Sequence, residues 1–323
     1  MIVFIAGGSG FIGSHIANKL LYDNSIKLIV IFDNFSSGTI HHLNNLQNNS
    51  KIKVINGDIK NFELLKISMK DADLVIHLAA NPDISKAVNN PEIDFWEGTY
   101  LTLNILESMR LNNVSNILYT SGSGIYGDVP GLKFSESYGP CFPISTYGAS
   151  KLACEALISS YCHMFSMKGR AFRFANVVGP MQTHGVGYDF VRKLIKNPTC
   201  LTILGDGSQN KSYIYIDDVI DAMLCVNCKM DEGVVFDIYN VATDDYISVT
   251  EIASIAIKLL HLDMDDVNID YTGGDRGWKG DVPTVLFDTS KIKKLGWFPK
   301  RNSKQAIELS IQSMYTELMD KKK

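Results

Sequence analysis

Ile2-Val3-Phe4-Ile5-Ala6-Gly7-Gly8-Ser9-Gly10-Phe11-Ile12-Gly13-Ser14-His15-Ile16 sets an apolar run, a glycine loop and the start of an amphipathic pattern in immediate succession. The run is strand-sized, and Phe11 to Leu20 space their apolar members as a helix does. A strand that turns into a helix through such a loop aims the N–H groups of Gly10, Phe11, Ile12 and Gly13 at whatever occupies it, and a pyrophosphate suits that field. Gly7 permits the turn, Gly10 the close approach of the phosphate, and Gly13 the packing of helix on strand. Asp33 follows Gly13 by twenty residues, at the end of a second apolar run, Leu28-Ile29-Val30-Ile31-Phe32. A carboxylate there accepts hydrogen bonds from the adenosine ribose hydroxyls and repels a 2′-phosphate. With Asn34, Ser36 and Ser37 beside it and no arginine, the sequence favours NAD over NADP as cofactor.

Outward from this loop, apolar runs at 2–6, 28–33, 52–55, 74–78 and 116–121 alternate with helical patterns that begin near 11, 61, 94 and 147. That alternation predicts an α/β fold, a doubly wound parallel sheet of the Rossmann type with crossover helices on both faces. A strand near 170–175 continues it. The chain then becomes irregular and rich in Gly and Pro, and it ends in helices at 249–261 and 303–319 around a glycine-rich loop at 272–283. The expected division is an NAD-binding domain of residues 1–175 and 214–243, and a smaller C-terminal α/β substrate domain of residues 176–213 and 244–323.

The chain has 323 residues, 46% of them hydrophobic, with a formal net charge of -4. This gives no basic footprint for nucleic acid. No apolar run approaches the ~18 residues of a membrane span, and the first strand leaves no room for a cleavable leader, so a cytoplasmic protein is expected. The six cysteines lack the spacing of a disulfide scaffold. Cys225 and Cys228 form a C-x-x-C within a helical pattern, but no second pair completes a zinc set, so packing is expected and no metal site. Lys321-Lys322-Lys323 reads as a solvated helix end.

Tyr147-Gly148-Ala149-Ser150-Lys151 places a phenol and an ammonium on one face of a helix that follows the fifth strand. A neighbouring ammonium stabilises a phenolate, which can then act as a general base, and the lysine can also hold the nicotinamide ribose. Tyr147 and Lys151 are the candidate catalytic pair.

With these motifs together, the chain resembles the extended short-chain dehydrogenases/reductases, within them the NAD-dependent epimerase/dehydratase family, and most closely its archaeal-type UDP-glucose 4-epimerases. The similarity runs through the glycine loop, Asp33-Asn34-Phe35-Ser36-Ser37-Gly38, Gly57-Asp58-Ile59, His77-Leu78-Ala79-Ala80-Asn81-Pro82, Tyr126-Gly127, Tyr147 with Lys151, Arg173-Phe174-Ala175-Asn176-Val177-Val178-Gly179-Pro180 and Gly273-Gly274-Asp275-Arg276-Gly277-Trp278-Lys279-Gly280-Asp281. The resemblance implies that Asn34, Ser37, Gly38 and Ser121 join the cofactor site, that Asp58 and Ile59 border the adenine, that Leu78, Ala79 and Ala80 line the cofactor, and that Phe174 lies near the nicotinamide. It gives Asn176, Lys211 and Arg276 to a nucleotide diphosphate, with Lys211 standing where many relatives carry arginine. The implied activity is NAD-dependent 4-epimerisation of a UDP-sugar, most closely UDP-glucose and UDP-galactose, through a transient 4-keto sugar. Alternatives are an epimerase of UDP-glucuronate or a UDP-N-acetylhexosamine, and a catalytically weak NAD or nucleotide-sugar binding protein. A homodimer built on the helical segments near 94–112 and 147–166 is a further implication.

Two positions depart from the family pattern. Gly122 stands where relatives carry a catalytic Ser or Thr, leaving Ser121 and Ser123 on either side; Ser123 is the candidate substitute on the substrate. Neighbours on an extended segment point to opposite faces, so Ser123 substitutes only if the backbone bulges; otherwise a water fills the site. Gly98 stands where an asparagine near the cofactor is common. Dehydratases of the family usually have Asp-Glu after the catalytic Thr, where this chain has Ser123-Gly124.

Overall fold

The computed structural model describes residues 1–320 apart from Gln47, Met230 and Glu232. The Lys321–Lys323 tail therefore lies outside the described residues. The sheet forms where the apolar runs predict it: β1 (Ile2–Ala6), β2 (Leu28–Asp33), β3 (Ile52–Asn56), β4 (Leu74–His77) and β5 (Asn116–Gly122), joined by Lys168–Phe174 and Phe236–Val241. Its seven strands run in the order Phe236–Val241, Lys168–Phe174, β5, β4, β1, β2, β3. β1 pairs in parallel with both β2 and β4, and β2–β3 and β4–β5 are likewise parallel. Val3, Phe4 and Ile5 are wholly buried, which explains why β1 reads as a continuous apolar run and not as an alternating one. Each such side chain contributes about 1.5–3 kcal/mol of burial.

From β1 the chain builds outward to β3 on one side and, from β4 onward, on the other. This reversal between β1 and β4 is the switch point at which the carboxyl ends of a doubly wound sheet bind ligands. Helix α1 (Phe11–Leu21) buries Gly13, Ile16, Ala17 and Leu20, and α2 (Phe62–Ser68), α3 (Tyr100–Leu111) and α4 (Thr146–Met164) follow. The helical pattern expected from residue 94 starts as a π-helical turn, Phe95–Thr99, ahead of α3. Cys228 at the end of helix Ile216–Cys228 is exposed, so the expected packing role of the C-x-x-C does not extend to it.

The chain divides into two compact units: unit 1 is Met1–Ile125, Thr146–Arg173 and Ile220–Tyr239, and unit 2 is Tyr126–Ser145, Phe174–Val219 and Asn240–Lys323. These boundaries differ from the expected ones. Residues 126–145 group with unit 2 because strand Lys133–Phe134 pairs with Leu286–Phe287 and Tyr126 Oη donates to Asn240 Oδ1 at 2.6 Å. Residues 214–219 join it because Tyr213–Tyr215 pairs with Asn176–Val178 and Trp297 Nε1 donates to the Asp218 carbonyl. Within unit 2, helices Val186–Lys196, Val249–Leu259 and Ser303–Asp320 pack on one another, the second of them started by a Ser248/Glu251 capping box.

Two buried polar arrangements fix unit 1. Arg173 donates to both Glu155 oxygens, at 3.0 and 2.7 Å, and ties α4 to the sheet; removing either partner of so buried a pair typically costs about 3–5 kcal/mol. His77, fully buried, shares a hydrogen bond with Thr102 Oγ1 at 2.9 Å, and its imidazole is pushed down to about 3, first by burial and then by the Lys151 ammonium. An unfolded histidine titrates near 6.5, so as the pH falls below that value the unfolded chain binds a proton that the native one refuses. His77 therefore withdraws about 2 kcal/mol of stability between pH 7 and pH 5. Urea unfolding at both pH values is expected to show that loss in the wild type and a smaller one in His77→Gln; equal losses would count against this account.

Candidate active site

The candidate cofactor site stands on the carboxyl ends of β1, β2 and β4 in unit 1. Gly7 has φ +81, and a Cβ there would lie 2.8 Å from Ala79 N, because Leu78 N and Ala79 N both donate to the Ala6 carbonyl as β4 ends. A Cβ on Gly13 would meet Gly7 O at 2.5 Å, so only glycine lets α1 start this close to the loop. Gly10 caps α1 without any side-chain hydrogen bond, which leaves the first-turn N–H groups of Phe11, Ile12 and Gly13 to a ligand. Asp33, buried, accepts from Ser9 N at 2.9 Å and Phe35 N at 2.8 Å, so its carboxylate and the glycine loop are held as one piece. Thr39 N donates to Ser9 O, drawing Ser37 and Gly38 over the loop, and Asn34 Nδ2 donates to Asp58 Oδ2 at 3.0 Å. Ile59, buried, gives its carbonyl to Asn104 Nδ2.

Tyr147 and Lys151, the candidate catalytic pair, are also in unit 1. Lys151 is 5% exposed, donates to the Thr120 carbonyl at 2.7 Å, and lies 5.0 Å from the Tyr119 ring centroid and 5.5 Å from that of Tyr147. Among the described residues that carbonyl is its single hydrogen-bond acceptor, so two of its three N–H donors are unspent. Ser121 Oγ, on the residue after Thr120, is buried and has no hydrogen-bond partner among the described residues. β5 runs through Gly122 and a 3₁₀ turn, Ser123–Tyr126, begins at the next residue, so Ser123 stands just beyond the strand.

Sequence reasoning missed what holds α4 in place. Asp94, 2% exposed, accepts from Thr146 Oγ1 at 2.7 Å and from Asn81 Nδ2 at 2.9 Å, while its carbonyl accepts from Ser150 Oγ at 2.6 Å. One buried residue thus fixes both flanks of Tyr147. Gly98 is explained by the same contact, since a Cβ there would collide with Ser150 Oγ. A side chain at 98 would require the Ser150 hydroxyl to leave its bond to the Asp94 carbonyl.

Unit 2 carries the residues matched to the diphosphate. Asn176 Nδ2 donates to the carbonyl of Ser212, the neighbour of Lys211. Lys211 Nζ donates to Asp281 Oδ1, and Arg276 donates through Nη1 to the Asp281 carbonyl and through Nη2 to Asp128 Oδ2. The structure thus links Asn176, Lys211 and Arg276 through one set of contacts. It also adds two carboxylates, Asp128 and Asp281, for which the sequence reading had no role. Phe174, buried, opens the unit 2 segment that leads to Asn176.

A model of the NAD dependent epimerase/dehydratase family matches residues 3–242. The chain belongs to this family. A Methanocaldococcus jannaschii protein named "Putative UDP-glucose 4-epimerase" is 32% identical over 97% of this chain and 98% of its own length. The human dTDP-D-glucose 4,6-dehydratase is 29% identical over 96% of this chain and 89% of its own. The crystal structure of the UDP-glucuronic acid 4-epimerase from Bacillus cereus, in complex with UDP-glucuronic acid and NAD, superposes with a TM-score of 0.88 at 26% identity, covering 98% of this chain and all of that one. The fold is the Rossmann-type α/β fold of these enzymes, and the cofactor is NAD. The residues present fit NAD: an uncapped helix start, a buried carboxylate at the end of β2, an orphaned Ser121 hydroxyl and a buried ammonium with two unspent donors. Among the described residues no cluster of His, Cys, Asp or Glu could hold a metal ion, and no helix is long and apolar enough to cross a membrane.

Proposed function

We propose that this family member is a UDP-sugar 4-epimerase whose substrate pair is UDP-glucose and UDP-galactose. One observation carries the choice of epimerisation over dehydration: the site offers the base pair Tyr147 and Lys151, whereas the turn Ser123–Tyr126 bears no carboxyl group. Expelling a hydroxyl as water needs a proton donor in addition to the base, and epimerisation at C4 does not. NAD, when bound, takes up a hydride from the sugar and gives it back. Tyr147 as phenolate accepts the proton of the sugar O4 hydroxyl and later returns it to the same oxygen. Lys151 stabilises that phenolate with its charge, and its two unspent N–H groups hold the nicotinamide ribose. Ser121, with its buried hydroxyl unpartnered among the described residues, would offer it to the cofactor. Asn176, Lys211 and Arg276 grip the diphosphate, a point charge and a bidentate fork on one dianion, so the sugar can turn over while its anchor stays.

Incubation with UDP-galactose, read by proton NMR, is expected to yield UDP-glucose with no net release of NADH. Stoichiometric NADH without an epimer would reject the reading. UDP-glucuronate and UDP-N-acetylglucosamine run in parallel decide between sugars. Gly122 favours a second reading, a weakly active protein that mainly binds its nucleotide sugar.

The proposed assembly is a homodimer through α3 and α4, supported by the exposed Leu103, Leu111, Met164 and Phe165 on or just beyond these helices. Sedimentation as a single 35.9 kDa chain would reject it.

A further inference from the structure

The two cations matched to the diphosphate are not held alike. Lys211 is bound by Asp281, whose carboxylate is 7% exposed and also accepts from Gly277 N at 3.2 Å, while its own N–H donates to the Trp278 carbonyl. Asp281 is thus built into the 272–283 loop, and the Lys211 pair closes that loop. Asp128 has a different standing. Its side chain is 22% exposed, and among the described residues its one polar contact is Arg276 Nη2 at 2.5 Å. Its backbone is nonetheless placed firmly, two residues after Tyr126, whose phenol is buried and bonded to Asn240.

Charge makes the asymmetry consequential. Lys211 and Arg276 face three carboxylates, Asp128, Asp275 and Asp281, so the cluster is net negative as it stands. A dianionic diphosphate brought to it meets repulsion unless one carboxylate gives up its cation. Asp281 cannot do so without opening its loop; Asp128 loses a single half-exposed contact. Arg276 would keep its second anchor, the Asp281 carbonyl at 2.7 Å, throughout.

We infer that Asp128 is a displaceable counter-ion for Arg276, which holds the guanidinium in place until the diphosphate of a nucleotide sugar takes over that end of the fork. This rests on the nucleotide-sugar reading above and makes Asp128 a positioning residue that sets affinity for the anion. It spares Arg276 from searching rotamers, at the expense of direct competition with the ligand.

The test is calorimetric titration of the full-length protein with UDP and, separately, with uridine. Asp128→Asn keeps the shape and removes the charge, so it is expected to tighten UDP by about three- to tenfold and to leave uridine unchanged. Asp128→Ala should do the same. A merely structural Asp128 would instead weaken both ligands. Unaltered or weaker UDP binding in both Asp128 variants, with the wild type binding UDP normally, overturns the counter-ion role and leaves the nucleotide-sugar reading intact. No saturable UDP binding by the wild type overturns that reading and the counter-ion role with it.

Discussion

Gly122→Ser is expected to raise kcat for UDP-galactose conversion by about 10²-fold, with KM moving less than about threefold. The backbone accepts the change: φ at Gly122 lies outside the left-handed region, and a Cβ built there meets only Tyr147 Cε1, at 3.8 Å, an ordinary van der Waals distance. Cε1 is the ring carbon next to the one that bears the phenol oxygen, so a hydroxyl on that Cβ arrives beside the proposed base. A positioned proton-transfer group typically contributes ~10²–10⁴-fold, and a hydroxyl that relays a proton belongs at the low end of that range. The effect falls on kcat because the nucleotide grip of unit 2 is untouched. Gly122→Ala is the control. It adds the same Cβ without the oxygen and should leave the rate unchanged, since the space is open and nothing needs filling. Equal gains in Ala and Ser would assign the effect to packing. No gain in Ser would mean that Ser123 or a water already supplies the proton path. A wild type without turnover, rescued by serine, would favour the binding-protein reading.

The contrast between Gly122 and Gly98 shows what a sequence can and cannot display. Both read as departures from a family pattern, and nothing in the local sequence separates them. In the structure a Cβ on Gly98 would run into the Ser150 hydroxyl that Asp94 holds, whereas a Cβ on Gly122 would make only an ordinary contact with the Tyr147 ring. The first is a compensated change and the second an uncompensated one. Local rules carried the glycine loop, Asp33, six of the seven strands of the main sheet, all but Phe236–Val241, and the spacing of Tyr147 and Lys151, because a strand, a helix start and an i,i+4 pair all have short periods. They could not carry Asp94, whose partners lie at 81, 146 and 150, or Asp128, which meets Arg276 across 148 positions of sequence. Neither acid stands in a periodic context. The unit boundaries fell to the same cause: a two-residue strand at Lys133–Phe134 has too little pattern to announce its partner at Leu286–Phe287.

Tyr147→Phe is expected to lower kcat by about 10²–10⁴-fold while the protein keeps its NAD, with affinity changed by less than about threefold. The phenyl ring fills the same volume on α4, and the Lys151 ammonium keeps its bond to the Thr120 carbonyl and its place over the Tyr119 ring. What is lost is the oxygen proposed to take the O4 proton. Lys151→Met separates the two duties of the lysine. It strips the charge that stabilises the phenolate and also the two N–H donors proposed for the nicotinamide ribose, so rate and NAD retention should fall together. NAD content of the purified proteins, measured after acid release, and initial rates by NMR give both quantities on the same samples. Loss of NAD in Tyr147→Phe would place the tyrosine in cofactor binding and not in proton transfer. A Tyr147→Phe protein that turns over within tenfold of the wild type would remove the phenolate from the mechanism altogether, and with it the reason for burying an ammonium at the end of β5.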